Sequence, residues 1–163
     1  MVLGRPVIVA TNAKLAAAYD WRSGSRAWSQ KLDGPSTFGP LFVPGLLVLV
    51  THSIYFLKPK SGKVVRRFSW KGARVNEVDC ARRDVVCFLR EGSLPDGATR
   101  LVRLNKDGIQ FTDTFTSYVP AIRFAPATKL LYISHLHGID VRQAKGSWCA
   151  GSNEKPSHPA LRL

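Results

Sequence analysis

The sequence predicts an all-β fold assembled from about four copies of one small antiparallel sheet. Three observations lead there. Short runs rich in β-branched and aromatic residues recur along the chain, separated by Gly, Pro, Asn, Asp and Ser. No window holds apolar residues at three-and-four spacing between helix caps. The runs also return at a blade-sized interval, and self-similarity of that kind marks a repeat architecture.

Taken in order, Val7 to Thr11 and Leu15 to Tyr19 read as a hairpin joined by a tight polar turn, and Arg26 to Leu32 follows a turn ending in Ser23-Gly24. Leu46 to His52, Ile54 to Lys58 and Val64 to Trp70 repeat the pattern, with Ser61-Gly62 in the second turn. Leu46-Leu47-Val48-Leu49-Val50 is apolar on both faces of a period-two strand, as a strand covered on both sides should be. Asp84 to Arg90, Arg100 to Leu104 and Ile109 to Phe115 form a third set, interrupted by an insertion from Glu91 to Thr99. Leu130 to His135 and Gly138 to Arg142 begin a fourth. The stretches Ser36 to Val43, Arg74 to Ala81 and Val119 to Ala125 precede the later copies, whereas nothing comparable precedes Val7. The copies therefore lie near 7–32, 36–70, 74–115 and 119–149, within a repeat domain spanning 1–149, and 150–163 reads as an extended arm or disordered tail. The turn positions Asp20, Lys58, Asn105 and Asp140 stand 38, 47 and 35 residues apart, and a Trp falls eight positions after the Asp in the first and last copies, at Trp28 and Trp148.

The pattern Ala18-x-Asp20-x-x-Ser23-Gly24-x-x-x-Trp28 resembles the blade signature of pyrroloquinoline-quinone-type, or tryptophan-docking, β-propellers. The resemblance implies a partial β-propeller of about four antiparallel four-stranded blades, the first incomplete, in which the Trp packs against a neighbouring blade. Each residue type suits its place. Gly tolerates positive φ, Asp hydrogen-bonds turn amides, and a flat indole fills the wedge between twisted sheets. Asp20, Gly24, Trp28, Gly62, Asp140 and Trp148 are the structural positions so assigned. The second copy departs by carrying Arg66 where the Trp is expected, the third by placing Gly108 out of register, and the fourth by holding Ala144 in place of the turn Gly. Rings of this family usually close with seven or eight blades. The chain is then a piece or remnant of a larger propeller, half of a homodimeric ring, or an arc propped by a partner.

Charge is the most unusual bulk property: 24 Lys and Arg against 11 Asp and Glu give +13 and a pI near 10.2. From Gly34 to Asn76 there is no acidic residue, while Lys58, Lys60, Lys63, Arg66, Arg67, Lys71 and Arg74 fall within 17 positions. These seven are the candidate polyanion-binding residues; the alternative is a solvated basic face that keeps the protein soluble. Basic and aromatic side chains interleave at Arg66-Arg67-Phe68-Ser69-Trp70-Lys71, where guanidinium groups could meet phosphates and Trp70 stack on a base. On a strand, however, Phe68 and Trp70 would face the core or the next blade. The odd cysteine count, Cys80, Cys87 and Cys149, and the absence of any Asn-x-Ser/Thr acceptor predict reduced thiols. Without an apolar leader or a spanning segment, a cytoplasmic or organellar location is expected.

Catalytic chemistry has no visible carrier. The resemblance brings in a quinone site built on adjacent cysteines and a calcium, but Cys80 and Cys87 are not adjacent and Glu77 and Asp79 lack an Asn-Asp constellation, so no cofactor is expected. His135-x-His137 is a possible metal pair without a third ligand nearby. Phosphate loops, nucleophile elbows and two-Cys zinc spacings are missing. The expectation is a non-enzymatic interaction or scaffold module with a basic face, held by a protein partner or larger assembly. Binding of RNA or another polyanion within a ribonucleoprotein is the second reading. A remnant of a larger quinoprotein-like or multidomain enzyme is the third.

Overall fold

The computed structural model describes residues 7–81, 83–91, 99–115, 121–125, 130–135 and 138–143. The described residues are strands and turns without helix, and the chain divides into two compact units, Met1–Lys71 and Gly72–Leu163.

The first unit holds two meandering antiparallel sheets. One is β1 (Val7–Asn12), β2 (Leu15–Asp20) and β3 (Arg26–Lys31); the other is β4 (Leu41–Val43), β5 (Leu46–Val50), β6 (Ser53–Leu57) and β7 (Val64–Ser69). Among the described residues the first sheet has three strands. Within each sheet, strands adjacent in sequence pair, because the turns between them are too short for anything but a hairpin. Ala16 and Ala18 on β2 pack against Leu47, Leu49, Tyr55 and Leu57 of the second sheet, with Trp28 and Leu32 completing the cluster. Small residues on one sheet opposite large ones on the other let the layers interlock at crystal-like density. The double-sided apolar reading of β5 is correct: Leu47, Val48, Leu49 and Val50 are fully buried.

In both sheets the last strand carries a bulge at the same place. Ala18 pairs with Trp28 and Tyr19 with Arg26, leaving Ala27 over; Phe56 pairs with Arg66 and Leu57 with Val64, leaving Val65 over. A bulge re-aims the residue beyond it. It returns Trp28 to the face of Ala18, and it assigns Arg66 to the corresponding position in the second sheet.

The second unit holds β8 (Ala73–Ala81), β9 (Asp84–Glu91), β10 (Thr99–Asn105) and β11 (Gly108–Phe115) as one antiparallel meander, and β12 (Ala121–Ala125), β13 (Leu130–His135) and β14 (Gly138–Gln143) as another. Val85 to Leu89 of β9 form its buried centre. Buried Asp84 receives Arg103 Nε–H at 2.6 Å and Asn105 Nδ2–H at 3.0 Å, tying the start of β9 to the end of β10. Arg123 on β12 donates to Glu77 on β8 at 2.8 Å.

One register assignment needs correction. Asp140 is not a turn residue; it is the third residue of β14 and pairs with Ile133. The hairpin closes at His135 and Gly138, so β14 must run beyond Asp140 before it has paired back to Leu130. Gln143, which ends β14, lies 38 residues after Asn105, as Lys58 lies 38 after Asp20. Trp148 and the tail 150–163 lie outside the described residues.

Candidate functional site

The β2–β3 and β6–β7 turns are built alike. Asp20 N–H donates to the Ser25 carbonyl and Gly24 N–H to the Asp20 carbonyl, both at 2.9 Å; Lys58 donates to Lys63 and Gly62 to Lys58 at the same distances. Gly24 and Gly62 both have φ of 66°, a left-handed conformation that favours glycine. In the first turn the Asp20 carboxylate accepts the Arg22 and Ser23 amides at 3.0 Å. Lys58 replaces it in the second, so the backbone pattern forms there without that help.

The second turn is held down from outside. Trp28 donates its indole Nε1–H to the Pro59 carbonyl at 2.7 Å, and its ring lies so close over Gly62 that a Cβ there would stand 2.5 Å from Cε3. Trp28 thus links the first sheet to the turn of the second at Gly62. Its consequence reaches the surface, because Lys58, Lys60 and Lys63 are exposed on this anchored turn. Arg66 is exposed one residue past the Val65 bulge, with its guanidinium 5.4 Å from the Phe68 ring centre.

Arg66 and Arg67 point to opposite faces of their sheet. Arg67 pairs across from Tyr55, stacks over its ring at 5.4 Å and forms an ion pair with Asp33 at 2.8 Å. Asp33 also accepts the hydroxyls of Thr51 and Ser53, and its own amide donates to Tyr55 Oη at 3.2 Å. Burial raises the Asp33 pKa, but the Ser53 and Thr51 hydroxyls and the Arg67 charge outweigh it and hold the carboxyl below its ordinary value. Burial, then the Asp33 charge, pushes the Tyr55 phenol up. This cluster escaped sequence reading; its signal was Asp33 itself, the acid that immediately precedes the acid-free segment. Phe68 is buried and Trp70 stacks on it with centroids 6.3 Å apart, as expected if the aromatics face inward.

Met1–Lys71 contains eleven Lys and Arg and only two acids, Asp20 and Asp33, so this unit carries +9 of the chain's +13. Both acids are engaged, one in its turn and one with Arg67. Lys58, Lys60, Lys63, Arg66 and Lys71 are exposed and join no ion pair among the described residues. Arg74, also exposed, belongs to the second unit.

Other candidate groups do not assemble. His135 ends β13 at the pair with Gly138, while its side chain and His137 lie outside the described residues. No cluster of three metal-ligating side chains occurs among the described residues. Burial raises the Cys80 thiol to about 11 and the fully buried Cys87 thiol further, so neither is a ready nucleophile. Cys149 is not among the described residues.

No protein-family model and no curated protein matches the chain. Solved structures do. BamB from Moraxella catarrhalis superposes with a TM-score of 0.60 at 17% identity over 86% of this chain and 47% of that one. The fold is a β-propeller's. The computationally designed Ika4 protein gives a TM-score of 0.63 at 13% identity, covering 86% of this chain and 87% of its own. A chain of the mitotic checkpoint complex gives 0.58 at 12% identity, covering 80% and 44%. The chain thus spans about half the length of BamB.

Proposed function

We propose that this chain is a non-enzymatic propeller module of the tryptophan-docking type that binds an acidic protein partner through the β6–β7 turn and the cations around it. The observation that carries this reading is the charge distribution of the first unit: its two acids are engaged, and Lys58, Lys60 and Lys63 stand on a turn anchored by Trp28. A fixed cationic loop binds a charged segment with less ordering cost than a mobile one. The likeness to a chain of the mitotic checkpoint complex supports a scaffold role, and docking of Trp28 on Gly62 supports the repeat type. Trp70, already stacked on Phe68, gives less support to base stacking.

The test is fluorescence anisotropy with two labelled probes of matched charge, an oligo-glutamate peptide and a single-stranded RNA, over a range of salt. The expected result is peptide binding that weakens with salt and drops roughly tenfold or more in Lys60→Glu/Lys63→Glu. Tighter binding of the RNA, sensitive to the same pair, would replace this reading with the polyanion one.

A further inference from the structure

The turns at Asp20–Ser25 and Lys58–Lys63 align position for position at an offset of 38, with two matching backbone hydrogen bonds and the same glycine φ of 66°. They differ in what satisfies their remaining donors. In the first turn the Asp20 carboxylate accepts the Arg22 and Ser23 amides at 3.0 Å and the Ser23 hydroxyl at 3.2 Å. Lys60 and Ser61 hold the same places in the second, but Lys58 stands where that carboxylate would originate. The Lys60 amide donates to no group among the described residues. The Ser61 amide falls back on the Lys58 carbonyl at 3.2 Å, an acceptor already taken by Gly62 at 2.9 Å. Lys58, Lys60, Ser61 and Lys63 are all exposed, so these donors are open to a ligand.

We infer that the Lys60 amide, the Ser61 amide and the Ser61 hydroxyl form a carboxylate-binding site, and that its occupant is an Asp or Glu side chain of the acidic partner. The inference rests on the acidic-partner reading and names the group that the turn grips. The sister turn supplies the precedent within this chain, because the three corresponding donors there converge on one carboxylate. Successive amides arranged in this way make an anion-binding concavity. Asp20 fills that place from within its own turn; at Lys58 the cation leaves the place to an acid from outside and adds an ammonium group beside it, with Lys60 and Lys63 as neighbours. Hydrogen bonds from amides to a carboxylate are charge-assisted, roughly twice as strong as neutral ones. Trp28 already anchors this backbone through the Pro59 carbonyl, so little further ordering accompanies binding.

Two substitutions at one position test it. Lys58→Asp gives this turn the acid of the first, whose carboxylate then fills the site from within. Lys58→Glu makes the same change of charge with a side chain one methylene longer, which does not cap its own turn as Asp does. In fluorescence anisotropy with the oligo-glutamate peptide, Lys58→Asp should lower affinity roughly tenfold more than Lys58→Glu does. Its thermal melting should be no lower than the parent's, so the loss is not one of folding. In heteronuclear NMR, sodium acetate should shift the Lys60 and Ser61 amides of the parent more than sodium chloride at equal ionic strength, and should leave those of Lys58→Asp in place. Equal losses in the two variants overturn the inference, as do amides that answer acetate no more than chloride; peptide binding by the parent would then leave the acidic-partner reading standing on charge alone. Amides that answer acetate in a protein that binds no peptide uphold the carboxylate site and defeat that reading instead.

Discussion

The Trp28 indole and Gly62 meet face to backbone across two sheets, with the ring over the glycine Cα and its N–H on the Pro59 carbonyl at 2.7 Å. The contact joins the bulged edge strand of one repeat to the turn of the next. It uses both properties of an indole, a large apolar face and one donor that needs a partner when buried.

Substitution of the two matched glycines separates the contact from the backbone conformation. Gly24→Ala bears only the left-handed penalty, about 1 to 2 kcal/mol. Gly62→Ala adds a methyl group 2.5 Å from the Trp28 ring, so its total loss should be about 2 to 5 kcal/mol, the same penalty plus overpacking. Urea unfolding at fixed protein concentration reads the difference. Equal losses at both positions would show that Trp28 does not press on Gly62.

Acid should release the Asp33 cluster. The folded carboxyl titrates below its unfolded value, so its contribution to stability is complete above the unfolded pKa, about 3.9, and is lost as pH falls through the lower folded value. Asp33→Asn removes this titration. The variant should be less stable than the parent near neutral pH, and the gap should narrow toward pH 3. Thermal melts at the two pH values check it; a constant gap would mean that Asp33 acts through shape alone.

Much of this architecture was legible, and the failures have physical causes. All eleven candidate runs fall on strands, because a short apolar or alternating run bounded by turn residues is what a two-residue period specifies. β4, β8 and β12 were marked only as stretches preceding each copy, since Pro40, Pro44, Glu77, Asp79 and Arg123 interrupt their apolar character. Asp140 reads as a turn residue because a short acid suits a turn, but the β13–β14 ladder runs past it. The third repeat hid its register for a related reason. Its turn closes at Asn105 and Gly108, shorter than the other two, and past its bulge Phe111 pairs with Arg103 as Trp28 pairs with Ala18. A search for Trp at a fixed offset passes over that position. Asp33 and Arg67 are 34 residues apart, and no local pattern announces such a pair.

The thiols Cys80 and Cys87 should resist alkylation. At pH 8 a thiol titrating near 11 is thiolate in about one molecule per thousand, and Cys87 lies higher still and is fully enclosed. In a Cys149→Ser background, native protein should react with Ellman's reagent far more slowly than a free thiol, and both cysteines should react at once in denaturant. Fast release of one equivalent from native protein would contradict the burial of these strands.

The Asp84–Arg103–Asn105 group is the polar contact whose loss should cost most. Asp84 is 7% exposed and accepts from both partners, and the Asn105 side-chain oxygen in turn accepts the Asp107 amide at 2.9 Å, so the carboxylate steadies both the β9–β10 ladder and the following turn. Removing the acid alone leaves a largely enclosed guanidinium without its counter-charge, and the expected loss for Asp84→Ala is about 3 to 5 kcal/mol. Arg103→Leu should cost less than Asp84→Ala, since Asn105 still satisfies one carboxylate oxygen. The double variant Asp84→Ala/Arg103→Leu should recover part of the deficit, because neither charge then remains to be desolvated; a coupling of at least about 1 kcal/mol is expected in the cycle. Strictly additive losses would show that solvent, rather than the partner, satisfies each charge, and the group would then be a surface pair despite its burial.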